Sequence, residues 1–317
     1  MRNLLVTFVL LSVVNTTLIG QGCSDAGFCT MGAMKPDQPY NKKVPVRLRS
    51  LELSFYRGTT PVSPILYVAT LDASFSIIDN KTSVQVKVPF ETVSGNMGDN
   101  AGLSDISLCF TRNILSSEKF DVNVSLGTKI PTNDSNKASE KEEFEGLALP
   151  MYYQTSLGSF DAIAGVSFIT RKWLLATGIQ YAFNRNGNQY SWQEWTGIYP
   201  DQAYLEKNAS AIELKRGTDI MFRAERNFRY ARFNFSLGLL PIIRITNDEI
   251  TDFNTGDRVK PQGAKGMALS AIATAGYSFN VKTGLKLLVG HKIVQREVNP
   301  DGLTRELVAS ISYFYRF

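Results

Sequence analysis

The chain has 317 residues, is 44% hydrophobic and 20% charged, and carries a formal charge of +5, one unit of which comes from Arg2. Its mean hydropathy is −0.10, and beyond the amino terminus no apolar run approaches the roughly 20 residues of a spanning helix. A helical membrane protein is thereby excluded, while a β-barrel, whose strands are only half apolar, is not. No Lys/Arg cluster marks a nucleic-acid surface.

Residues 1–20 read as a secretory signal peptide: Arg2 supplies the positive start, Leu4 to Val14 the apolar core, and Gly20 a small residue before a cut at Gln21 or Gly22. The leader resembles those of Bacteroidetes-type exported proteins and implies a Gram-negative source. A loop-like segment, 21–44, follows and lies either in the periplasm or inside a barrel as a partial plug. In an oxidising compartment Cys23 and Cys29 are expected to close a small disulfide ring. The competing reading, a lipidated Cys23, meets Gly20 where a lipobox wants Leu. Cys109 is left over as a buried thiol behaving as a small hydrophobe.

From there, 45–317, two-residue alternation repeats. Leu51, Leu53 and Phe55 alternate with Glu52, Ser54 and Tyr56. Leu71 to Ile77 and Val84 to Phe90 flank the polar turn Asp79-Asn80-Lys81, a hairpin signature. Further strands are read around Ile106–Phe110, Val122–Ile130, Ala162–Phe168, Trp173–Phe183, Ile220–Ala224, Phe233–Leu239, Met267–Phe279 and Leu285–Ile293. The last strand is Leu307, Ala309, Ile311, Tyr313, Tyr315 and Phe317, with Val308 and Phe314 as apolar exceptions on its polar face.

About twelve strands result, and their connectors sort by length. Those near Asn80, Ser117, Lys172, Arg229 and Lys282 are short; those near Thr60, Asn96, Ser139, Asn208, Asp257 and Pro300 are mostly longer. A soluble β-sandwich has no reason to alternate short and long connectors. A transmembrane antiparallel β-barrel does, with tight periplasmic turns on one rim and surface loops on the other. The predicted class is therefore an all-β outer-membrane barrel. Its inward set is mixed in sign: Glu52, Asp72, Lys87, Asp105, Asp121, Lys129, Arg223, Glu225, Arg232, Lys286, Lys292, Glu306 and Arg316. Such charges either pair into a plugged interior or line a hydrated pore.

Three segments carry a resemblance. Ala101 to Leu108, with Gly102, Asp105 and Ile106, resembles the Gly-x-Gly-Asp-Ile/Leu segment of outer-membrane proteins named for the meta-pathway of phenol degradation. Lys129-Ile130-Pro131-Thr132 resembles their Lys-x-Pro-Thr-Gly strand end, and Leu157-Gly158-Ser159-Phe160-Asp161 their Gly-Ser-x-x-Asp turn. Ser104 and Asn133 stand where that pattern has Gly. The resemblance, to the Phenol MetA-like transporter family distantly similar to long-chain fatty-acid transporters, implies passive import of a small, hydrophobic solute. Terminal Phe317 also resembles the signal that barrel-assembly machinery reads, and outer-membrane lipid and lipopolysaccharide are the expected surroundings.

The candidate lumen or ligand residues are Gln180, Arg223 and Glu225 on the inward face, beneath Trp192 and Trp195 of the aromatic loop that also holds Tyr190, Tyr199 and Tyr204. The acidic run Glu140, Glu142, Glu143 and Glu145 is read as a solvated loop, with cation bridging as its alternative. The lone His291 falls on the apolar face. The outer-membrane phospholipase family has a Ser two residues after its His; here that residue is Ile293, and a base without a nucleophile cannot run acyl transfer. No catalytic residue, metal or cofactor is assigned. The runner-up to a channel is a non-conducting barrel serving a structural, assembly or secretion complex.

Overall fold

The computed structural model describes residues 47–317, with Ile78 and Asn80 left out. The signal peptide, the 21–44 segment, the Cys23–Cys29 pair and the tip residue Asn80 of the first hairpin lie outside the described residues.

Twelve antiparallel strands close a barrel, each at a predicted place. They are β1 (Arg47–Thr59), β2 (Ile65–Ser76), β3 (Thr82–Ser94), β5 (Ile106–Ser116), β6 (Phe120–Ile130), β7 (Asp161–Thr170), β8 (Trp173–Ala182), β9 (Asp219–Arg229), β10 (Phe233–Arg244), β13 (Gly266–Ser278), β14 (Thr283–Val294) and β15 (Leu307–Arg316). The first and last strands pair from Ser50 with Arg316 to Gly58 with Val308, so the wall has no free edge at its seam. The additional strand β4 (Asp99–Leu103) pairs with the upper part of β3. It is the upward extension of β5 across a break at Ser104-Asp105. Within the loops lie the two-residue hairpin strands β11 (Ile250–Thr251) and β12 (Arg258–Val259), and one helix, α1 (Gln202–Lys207).

Short polar side chains fold the tight turns. Ser117 Oγ accepts from the Lys119 and Phe120 amides at 3.2 and 3.1 Å, and Asn280 Oδ1 from those of Lys282 and Thr283 at 2.8 Å each. Such side chains satisfy backbone donors that a turn would otherwise strand. The long connectors all lie at the opposite rim.

The outward face is apolar. Phe55, Leu71, Leu126, Leu175, Ile179, Phe222, Leu237 and Ile311 are among its exposed side chains. Together they form a continuous apolar surface far beyond the few hundred Å² a soluble monomer leaves uncovered. Aromatic residues mark both borders, Tyr67, Phe90, Tyr181 and Phe183 on the long-loop side and Trp173, Phe228, Tyr277 and Tyr313 on the short-turn side. Met267 and Tyr277 on β13 are ~33 Å apart along the strand at ~3.3 Å per residue, or ~25 Å in height at the usual tilt. That matches the hydrocarbon band a barrel must span. The wall therefore defines a membrane-spanning β-barrel.

Val308 and Phe314, the apolar exceptions of β15, turn inward and are buried. Phe314 lies across Gly284 of β14, where a Cβ would come within 2.5 Å of the ring. Glycine there gives the aromatic ring its room. Arg232 departs from the expected inward set: it stands exposed in the β9–β10 turn, because the hairpin closes one residue before β10 begins.

Candidate functional site

The lumen is filled in three zones. On the β5, β7–β10 and β13 side, inward Cys109, Ile163, Ala176, Met221, Leu240 and Ile272 form a dry apolar cluster. Cys109 is a free, buried thiol within it.

The opposite side, walled by β1–β3, β5, β6, β14 and β15, encloses a cavity of ≈ 130 Å³. Its apolar lining includes Tyr56, Val68, Leu157, Leu288, Leu303 and Val308. Two ion pairs and a hydrogen-bonded carboxylate stand in this wall. Lys286 meets Glu52 at 3.5 Å, Lys129 meets Asp105 at 3.4 Å, and Gln85 donates to Asp72 at 2.6 Å. A buried charge is tolerated only when paired in this way. The result is a small chamber, apolar in the middle and zwitterionic around it.

The three segments that carry the family resemblance meet at the top of this chamber. Asp105, at the β4–β5 break, accepts from Ser156 Oγ at 2.5 Å and from the Leu157 amide at 3.1 Å, besides its ion pair with Lys129. Thr132 Oγ1 donates to the Ser104 carbonyl at 2.8 Å. Gly158 has φ +67°, and a Cβ there would sit 2.2 Å from Ser135 Oγ, so only glycine fits. Asn133 donates to Thr155 Oγ1 at 2.9 Å and lies against Gly102, whose own Cβ would come within 2.3 Å of it.

Above the chamber the long loops fold inward as a dome, latched to the wall by buried arginines. Arg244, at the top of β10, forks onto Asp219 at 2.8 and 2.7 Å and onto Asp248 at 2.7 and 2.8 Å, and also reaches Asp301 at 2.8 Å. Arg296 bonds both oxygens of Asp301 at 3.1 Å. Arg216 pairs with Asp161, which also accepts from Gln180. Asp248 and Asp301 come from two different loops and Asp219 and Asp161 from the wall, so the cluster ties loop to loop and loop to barrel. Burial alone would raise the Asp301 carboxyl, but Arg296, Arg244 and Arg216 outweigh it and hold it well below the usual carboxylate range. Asp248 is pushed the other way by burial and by its neighbour Asp301.

The dome has its own apolar core. Trp195 is fully buried, donates from Nε1 to the Ala148 carbonyl at 3.0 Å, and packs its ring 5.3 Å from that of Phe144. Leu149, Tyr152, Tyr153, Tyr190 and Leu205 surround it, with Trp192, Tyr199 and Tyr204 half-buried at the edge. The hydroxyls of Tyr153 and Tyr204 share Ser63 Oγ, at 2.9 and 2.5 Å. Burial pushes the Tyr152 hydroxyl up to about 12.

The candidate residues are thus placed in separate zones. Trp192 and Trp195 belong to the dome core. Gln180 is buried on the β8 wall against Asp161. Arg223 and Glu225 pair with each other lower in the lumen, where Ser236 Oγ donates to Glu225 at 3.1 Å. None of the five lines the chamber. The latch residues Arg216, Asp248, Arg296 and Asp301 were not singled out from the sequence, since they lie in loops without periodicity. The acidic run is exposed, with Phe144 turned inward from among its glutamates. His291 faces outward, paired in register with Ala271 and Leu307, so no serine stands beside it on that face.

The class these features define is a membrane-spanning β-barrel with a packed, chambered lumen closed at one rim. No protein-family model matches the chain, and a sequence comparison with characterised proteins returns no match. Solved barrels share its general shape. The NanC porin has 10% identity over 86% of this chain and 100% of that one, with a TM-score of 0.44. The translocator domain of the autotransporter NalP from Neisseria meningitidis has 8% identity over 85% and 88%, at 0.45. The CymD monoaromatic hydrocarbon channel has 12% identity over 95% and 98%, at 0.42. At such values the likeness is one of outline, and no activity passes across it.

Proposed function

We propose that the chain is an outer-membrane channel or transporter that passes a small, hydrophobic solute by passive diffusion, without catalysis. The chamber carries this reading. It is a space with an apolar patch inside a closed wall, and Lys286–Glu52 and Lys129–Asp105 beside it are already paired, so it can accept an apolar molecule without stranding those ions. The solute would rest among Tyr56, Val68, Leu288 and Val308, and the dome would set when it enters. The meeting of the three family-like segments at the chamber roof supports a Phenol MetA-like transporter. Trp192 and Trp195 then serve the dome, and Gln180, Arg223 and Glu225 brace the wall opposite the chamber. Phe317, which donates its amide to the Arg49 carbonyl at 3.0 Å and leaves its ring exposed, is available to barrel-assembly machinery.

The packed apolar half of the lumen favours a second reading, a non-conducting barrel whose dome serves a partner. Planar-bilayer recording of the refolded chain separates them. Discrete conductance steps that a small aromatic or aliphatic solute blocks are expected; silence under all conditions would favour the scaffold.

A further inference from the structure

Two adjacent short turns, β7–β8 and β9–β10, together with the end of β9 that enters the second, carry Arg171, Lys172, Arg226, Arg229 and Arg232. Among the described residues none of these five has an acidic group within 4 Å. In two of the other short turns the cations have acidic neighbours. Arg112 has Asp79 at 3.7 Å, and Lys119 is flanked by Glu118 and Asp121 in its own hairpin. The two turns are joined side by side: Trp173 is the register partner of Arg226, and the Asn227 amide donates to the Lys172 carbonyl at 2.7 Å.

Arg226 points outward from the wall rather than into the lumen. Its guanidinium carbon lies 5.1 Å from the Trp173 ring centre and 5.9 Å from that of Phe228. Exposed Tyr230 and Phe233 continue the aromatic border, and Leu175, Phe222 and Leu237 rise above it as apolar wall. A cation held at an aromatic girdle, with further cations below and acyl-compatible surface above, is matched by a molecule with an anionic head and hydrocarbon tails. We infer that this face is a binding site for an anionic phospholipid of the leaflet at the short-turn rim, its phosphate seated at Arg226 with the turn cations beneath it and its chains along β8 and β9. A soluble acidic protein fits less well, because Arg226 stands on the lipid-facing wall.

The inference rests on the barrel lying in a bilayer and is independent of conduction. Its test is refolding the chain in detergent micelles doped with equal phosphatidylglycerol and phosphatidylcholine of identical chains, then quantifying co-purified lipid by mass spectrometry. The native chain should enrich phosphatidylglycerol. The R171Q/K172Q/R226Q variant should lose enrichment by roughly fivefold for each charge removed, R226K should retain most of it, and K282Q on a separate turn should match the native chain. Heat-modifiable gel migration establishes that each variant still forms the barrel. Excess sodium phosphate should leave the enrichment in place, since the chains contribute. Equal retention of the two lipids, enrichment unchanged in the triple variant, or displacement by phosphate alone would each overturn the site. A chain that conducts yet shows no lipid preference overturns this inference alone, and one that shows preference without conducting overturns only the channel.

Discussion

Asp105 shows how much one side chain can organise. It joins Lys129 of β6 to Ser156 and Leu157 of the dome from a break in its own strand. Replacing it by alanine leaves a buried ammonium and two donors without their acceptor, a loss of about 3–5 kcal/mol for a broken buried pair. D105A should lower the urea midpoint of the refolded barrel in micelles, whereas E140A in the exposed acidic run should leave it unchanged. The Arg244 latch makes a pH prediction at the same scale. Asp301 has a folded pKa held below its unfolded one, so its contribution is fully present above the usual carboxylate value near 4 and is lost as pH falls through and below it. Asp248, raised by burial, takes up a proton in the folded state first and so does not weaken the fold as pH falls. Protease resistance of the 245–265 and 295–306 loops should therefore hold from neutral pH to about 4 and fall below it; loss of resistance already at pH 6 would contradict the latch. In R244A, resistance should be low at every pH.

At the scale of elements, the wall and the dome were legible to different degrees. Each strand announced itself because a barrel sorts residues by two-fold alternation, and even Tyr56, Val308 and Phe314 followed the parity of their strands. β4 did not, because Asp99-Asn100-Ala101-Gly102 has no strand-forming residues and is held by pairing with β3 and by Asn100 Nδ2 donating to the Tyr153 carbonyl at 3.0 Å. The dome has no periodicity to read. Its order comes from residues far apart in the chain, such as Trp195 against Phe144 and Asp301 against Arg244. Arg223 and Glu225 could be placed in the lumen from parity, but not their pairing with each other. Trp195 is the keystone of this element: W195A should cost the dome about 3–5 kcal/mol. Loop proteolysis should increase while the heat-modifiable barrel persists, and the time spent in the conducting state should rise. A variant whose barrel and dome melt together would show the two are one cooperative unit.

For the whole molecule, everything turns on the outward face meeting acyl chains, and the three tryptophans at 173, 192 and 195 allow that to be read directly. Trp173 stands exposed on the outer wall beside Arg226, Trp195 is sealed in the dome, and Trp192 sits at the dome edge. The decisive measurement is fluorescence quenching by brominated phospholipids, made on a W192F/W195F variant that keeps only Trp173 and on a W173F/W192F variant that keeps only Trp195. Bromine placed high on the acyl chain should strongly quench the first and leave the second bright. Trp173 untouched by bromine at every depth, in a chain that stays monomeric in water without detergent, would contradict the membrane barrel.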